Sequence, residues 1–243
     1  MAVTPLVLHL LEDQVFKPRR GQTLEIVSLG YPDILCSPEQ FAHILGPEIA
    51  SRLRARPDSD SIARWHGRQG MPIVEAEQLF TELGHRLSVI DITRARGDEI
   101  LLDLNHPAPP DMLARYDLVL DTGTLEHCFN IGQALMNVAG MVRAGGYILQ
   151  ATPLNMFNHG FYNVCPTLFH DFYSSNGFEM LWLHGVFPHA EGVAAVDLPA
   201  HGRFQLPPEM RDGVMIGLAR RPVVQTLRYP LQTKYKNNPE LKA

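Results

Sequence analysis

The stretch YDLVLDTGTLEHCFN, residues 116–130, leads through a helix-patterned segment into MVRAGGYILQATP, residues 141–153, and this passage decides how the chain is read. Residues 116–121 are an apolar run closed by Asp121, too continuous for a strand with one face in water. Residues 131–142 place Leu135, Val138, Ala139 and Val142 on one helical face. Ala144-Gly145-Gly146 then turns the chain into a second apolar run, 147–152. Apolar strands separated by amphipathic helices argue a parallel sheet covered on both faces.

The same texture extends toward the N-terminus. Residues 24–29 (LEIVSL), 87–92 (LSVIDI) and 99–104 (EILLDL) read as further short strands. The first meets Gly30 and Pro32, and the others carry Asp91 and Asp103 near their ends. Helices are expected over 5–16, with Leu8, Leu11 and Val15 on one face, and from Pro38 to about Leu45, after Ser37 as cap and with Glu39 in the first turn. A further helix is expected over 73–83, stopped at Gly84. Residues 46–70 are rich in charge, proline and glycine and read as an insertion or lid. Beyond Pro153 come a loop rich in asparagine and aromatics, a helix over 167–175 closed by Asn176-Gly177, and strands over 178–186 and 213–219. An excursion, 187–212, lies between those two strands. The expectation is one domain over 1–223 and a polar tail over 224–243 that includes Lys234, Lys236 and Lys242.

At 45% hydrophobic and 19% charged residues the chain has ample apolar material to fold. A net charge of −5 gives no overall attraction to nucleic acid or anionic membrane, although Arg52, Arg54, Arg56, Arg64 and Arg68 cluster locally. Three distant cysteines, Cys36, Cys128 and Cys165, form no CxxC pair, which argues against a disulfide framework or structural zinc. Residues 1–16 carry His9, Glu12 and Asp13 and lack a basic leader, so they read as a core element rather than a signal peptide. No apolar run is long enough to span a bilayer. A cytoplasmic location is the expectation, with no nucleic-acid or membrane partner.

The succession of a YDLVLD strand, a loop, LEH, a helix and an AGG turn into the next strand resembles the small-molecule class I S-adenosylmethionine-dependent methyltransferases of the LEH type. The likeness is good over 116–153 and looser over 24–153. It implies an α/β, Rossmann-like, doubly wound and mostly parallel seven-stranded sheet ending in an antiparallel C-terminal hairpin strand. It also implies S-adenosyl-L-methionine as cofactor and methyl transfer to an oxygen or nitrogen of a small molecule, such as a sugar or a biosynthetic intermediate. By the same resemblance Asp91 would accept the ribose hydroxyls, Asp103-Leu104 would hold the adenine edge, and Asp121, Thr122 and Gly123 would border the methionine part. One loop departs from the family. Where D/E-x-G-x-G-x-G is usual, the chain reads Ser28-Leu29-Gly30-Tyr31-Pro32-Asp33-Ile34. Only Gly30 keeps its place, proline removes a donor, and Asp33 would have to supply the carboxylate near the amino group.

Residues 155–166 (NMFNHGFYNVCP) are the candidate acceptor site, with Asn155, Asn158, His159 and Tyr162 as polar contacts; a loop whose aromatics merely pack on the sheet is the competing reading. A methyl acceptor that must lose a proton needs a base, and His159 and His127 are the first candidates, with Tyr162 beside them. Glu126 and His127 read as a base or a metal pair, or equally well as an acidic residue near a helix start beside a packed histidine. The eleven histidines are scattered and no HExxH, GxSxG or P-loop pattern occurs, so no metal is expected. Expected partners are a small-molecule acceptor and, among proteins, a second copy of the chain. The alternative is a methyltransferase-like fold that has lost catalysis and serves as a binding or scaffold protein.

Overall fold

The computed structural model describes residues 2–189, 192–208 and 210–236. The end of the polar tail, residues 237–243 with Lys242, lies outside the described residues. The chain forms two compact units, Met1–Leu102 and Asp103–Ala243.

The first unit begins with β1 (Ala2–Val3) and α1 (Pro5–Leu11), the helix capped by the Thr4 hydroxyl. Next comes β2 (Glu25–Leu29), in which Ile26, Val27, Ser28 and Leu29 are fully buried, as a strand covered on both faces requires. The chain then makes β3 (Asp33–Ile34), which pairs in parallel with β1. The Ser37 capping box launches α2 (Pro38–Leu45), with Gln40 answering the cap. Segment 46–70, expected as an insertion or lid, contains α3 (Pro47–Arg52) and α4 (Ser59–Trp65). Helices this short and this charged carry too few apolar residues to show a period. After α5 (Ala76–Glu82) the chain enters β4 (Arg86–Asp91) and β5 (Ile100–Leu101), and the parallel order in this unit is β5-β4-β2. β5 is shorter than the expected 99–104 run. Glu99 turns its carboxylate back to the N–H groups of Arg96 and Gly97, and Asp103 folds onto Asn105, so turn chemistry takes both ends.

The second unit opens on β6 (Tyr116–Asp121), buried along its whole length. Fully burying each of Leu118, Val119 and Leu120 contributes about 1.5–3 kcal/mol. Helix α6 (Ile131–Met141), capped by Asn130, connects it to β7 (Val142–Pro153), which runs parallel to β6. Helix α7 (Pro166–Ser175) packs Phe169, Phe172 and Tyr173 inward. Three strands follow: β8 (Glu179–His189), β9 (Gly192–Asp197) and β10 (Val214–Arg221). The order is β6-β7-β10-β8-β9, with β10 antiparallel to both its neighbours. β9 arises inside the 187–212 excursion, pairs antiparallel with β8, and is a strand that the sequence pattern does not announce.

Parallel strands joined by helices, with an antiparallel strand wedged between β7 and β8, make this an α/β, Rossmann-like fold. No helix among the described residues is long and apolar enough to cross a membrane.

Past β10 the chain is fastened to the second unit. Arg221, 2% exposed, donates from Nη1 to the carbonyls of Ala139 (2.9 Å) and Val142 (2.6 Å) and from Nη2 to Gln225 (3.2 Å). Asn176 exchanges two hydrogen bonds with the Arg228 backbone, and Asp171 accepts both the N–H and the hydroxyl of Thr233.

Candidate functional site

In an open parallel sheet ligands gather at the carboxyl ends of the strands, and the sites of the two units are built on such ends. In the first unit, Gly30 follows β2 at φ +73°, a conformation that suits glycine, and its carbonyl accepts the Ser28 hydroxyl at 2.7 Å. The residues on either side of Pro32, which takes a glycine's place, are tied down. Tyr31 donates to Glu75, and the Arg96 guanidinium lies 3.7 Å from the Tyr31 ring centre. Burial, with the Glu75 hydrogen bond next, pushes the Tyr31 hydroxyl up to about 12. Asp33 accepts from His66 at 2.9 Å and lies 3.7 Å from Arg56, itself nearly buried. Asp91, at the end of β4, is partly exposed, and its Oδ1 accepts from the N–H and hydroxyl of Thr93.

In the second unit Asp103 is exposed and its Oδ1 accepts twice from Asn105, while Leu104 is buried with its carbonyl bonded to Asn137. Asp121 ends β6 fully buried. It accepts from the N–H groups of Gly123 (3.4 Å) and Thr124 (2.9 Å) and from Gln150 Nε2 (3.1 Å), and Gln150 in turn accepts from Tyr173. Burial pushes the Asp121 carboxyl up against those donors. Its role in the fold is to clamp the loop 122–125, which delivers Glu126 inward and His127 outward.

Glu126 is 1% exposed, and its Oε2 has no hydrogen-bond partner. Its Oε1 lies 3.5 Å from His159 Nε2. Desolvation, reinforced by repulsion from Asp121, pushes the Glu126 carboxyl up to about 8. The His127 and His159 rings lie 5.4 Å apart, and burial and then His159 lower the His127 pKa. Gly160 makes the approach feasible, because a Cβ there would sit 2.8 Å from the Glu126 carbonyl oxygen. Two cross-loop bonds lock the arrangement: Phe161 N–H to the Glu126 carbonyl (2.8 Å) and the Tyr162 hydroxyl to the Phe129 carbonyl (2.7 Å).

The structure thus brings His127 and His159 together and places Tyr162 as a brace. Asn155 is spent on the chain before β10, donating to Met210 and accepting from Gly213. Asn158 is exposed at φ +59°. Thr122 is buried with an unpartnered hydroxyl. Sequence reasoning treated Glu126 as a neighbour of His127 and had no signal for its meeting with His159. It also gave no role to Phe129 and Phe161, whose rings stand edge-on 5.6 Å apart.

Among the described residues, two groups bring ligand-type atoms within 4.8 Å of one another: Glu126 with His127 and His159, and His170 with Asp171 and His201. Asp171 already accepts from Thr233 and lies 3.1 Å and 3.3 Å from the two imidazoles, so the second group is a hydrogen-bonded hub. The first, with a carboxyl that stays neutral to about pH 8, is suited to handling a proton.

No protein-family model matches the sequence, and no curated protein matches it. Among solved structures the chain is similar to the 1,6-didemethyltoxoflavin-N1-methyltransferase of Burkholderia thailandensis (13% identity, 88% of this chain and 78% of that one, TM-score 0.43). It is also similar to a SAM-dependent methyltransferase from Archaeoglobus fulgidus (12% identity, 89% and 93%, TM-score 0.44). A third is the N-methyltransferase NodS from Bradyrhizobium japonicum WM9 with S-adenosyl-l-homocysteine (13% identity, 87% and 90%, TM-score 0.44). At such identities and TM-scores these structures assign neither substrate nor site residue to this chain.

Proposed function

We propose that the protein transfers a methyl group from S-adenosyl-L-methionine to an oxygen or nitrogen of a small molecule. The observation that carries the reading is Glu126, a buried carboxyl with one unpartnered oxygen, set beneath two imidazoles beyond the end of β6. A buried carboxyl with a raised pKa and one oxygen unsatisfied is a functional-site candidate.

The residues fit the cofactor in part. In the first unit Asp91 offers a partly exposed carboxylate; in the second, Asp103 offers an exposed carboxylate, and Thr122 and Gly123 offer loop backbone and a hydroxyl with no partner. When bound, the cofactor supplies a methyl already activated on a sulfonium. The chain's task is then to align the acceptor and exclude water. His159 accepts the acceptor's proton on one ring nitrogen, and ionised Glu126 steadies the imidazolium through the other.

The first-unit loop favours a second reading, a binding protein without catalysis. Pro32 and Ile34 replace the later glycines, and Tyr31 and Asp33 beside them are engaged by Glu75, Arg96, His66 and Arg56. Calorimetric titration with S-adenosylmethionine and S-adenosylhomocysteine separates the two. Saturable heat with a thermal shift is expected; neither at millimolar cofactor would sink the enzyme reading. Full turnover in both His127→Ala and His159→Ala would remove the assigned base.

A further inference from the structure

The segments that carry Glu126 and His159 lie side by side, and their rings pair in register. His127 meets His159, and two residues on Phe129 meets Phe161. Cys128, between the first two, is extended at φ −85° and ψ 119°, so His127 and Phe129 project to the same side. The phenyl rings are 71% and 65% exposed and stand at 88° to one another. Neither is core packing, and both are braced from behind by the Phe161 and Tyr162 backbone-directed bonds. The result is a preformed corner with one face and one edge of aromatic surface beside a pair of imidazoles.

From this ledge we infer that the acceptor is a planar aromatic molecule bearing a hydroxyl or amino group, its ring in the Phe129–Phe161 corner and its heteroatom at His127 and His159. The inference rests on the reading of this site as the methyl-acceptor site. A flat ring laid on one phenyl face meets the other edge-on, the geometry aromatic rings prefer. Residues two apart on extended chain are about 6.6 Å apart. A substituent heteroatom hydrogen-bonded at about 2.8 Å to an imidazole falls within that spacing. Because the corner is braced, little ordering accompanies binding.

The test uses p-cresol and catechol against methyl glucoside in saturation-transfer NMR on the full chain without cofactor. The phenols are expected to bind saturably and the glucoside not. Phe129→Leu and Phe161→Leu, both at exposed positions, are expected to keep the melting temperature and weaken phenol binding at least tenfold. Glucoside binding as tight as phenol binding would overturn the inference. So would variants that leave phenol binding unchanged, or that alter only the sedimentation coefficient and so mark a protein interface. Phenol binding without any cofactor heat would keep the ligand class and reject methyl transfer; cofactor heat without phenol binding would do the reverse.

Discussion

His159 Nε2 rests 3.5 Å from Glu126 Oε1, with the imidazole half exposed and the carboxylate sealed from solvent. The pair joins a group that can reach a substrate to one that stays neutral until mildly alkaline pH. Its behaviour follows from burial and from the buried Asp121 nearby.

Glu126→Gln is expected to lower kcat/KM about 100-fold or more while leaving cofactor heat unchanged. In the wild type kcat/KM should rise with pH through about 8 as Glu126 ionises, and the variant should lose that rise. Stability runs the other way. The folded pKa lies above the unfolded value of about 4.3, so the contribution is full below that value and lost as pH climbs through about 8. The variant's melting temperature should therefore stay flatter across that window, and parallel melting curves for the two proteins would contradict the burial argument.

Gly160→Ala places a Cβ 2.8 Å from the Glu126 carbonyl oxygen and 3.1 Å from its Cγ. Overpacking of this kind costs about 1–3 kcal/mol, read from urea unfolding. Turnover should fall further than stability predicts, since the same clash pushes His159 away. A variant with unchanged turnover would show that the close approach is dispensable.

Asp171→Asn tests the hub on α7. Burial alone would raise this carboxyl, but the Thr233 backbone and hydroxyl bonds, with His170, hold it below the usual aspartate range. A lowered folded pKa gives stability that is present above the unfolded pKa and lost as pH falls through the folded one. The variant should therefore be less stable by about 1.5–3 kcal/mol at neutral pH, with the gap closing in strong acid. An equal gap at both pH values would mean the charge is irrelevant.

The parts of this site that were legible in the sequence are those whose cause is local. Asp121 closes an apolar run, and Glu126 and His127 follow at fixed spacing, so their place beyond β6 could be read from pattern alone. The Glu126–His159 meeting could not, because it depends on where a loop without periodicity folds back and on the absence of a Cβ at Gly160. The same limit explains β9, hidden in a stretch rich in proline, glycine and histidine, and β5, where Glu99 and Asp103 prefer turn bonds to pairing. Arg221 was likewise invisible, since an arginine next to Arg220 reads as surface until the carbonyls it serves are in place.

The position of β10 bears on how the molecule is made. A strand that lies between β7 and β8 leaves the ribosome after both of them. Until it arrives, β7 and β8 present open edges with unmet backbone groups, and the α6 carbonyls wait for Arg221. The second unit therefore closes only once residues 214–221 have been made, and nascent chains stalled before residue 214 should be the species that chaperones hold and proteases find.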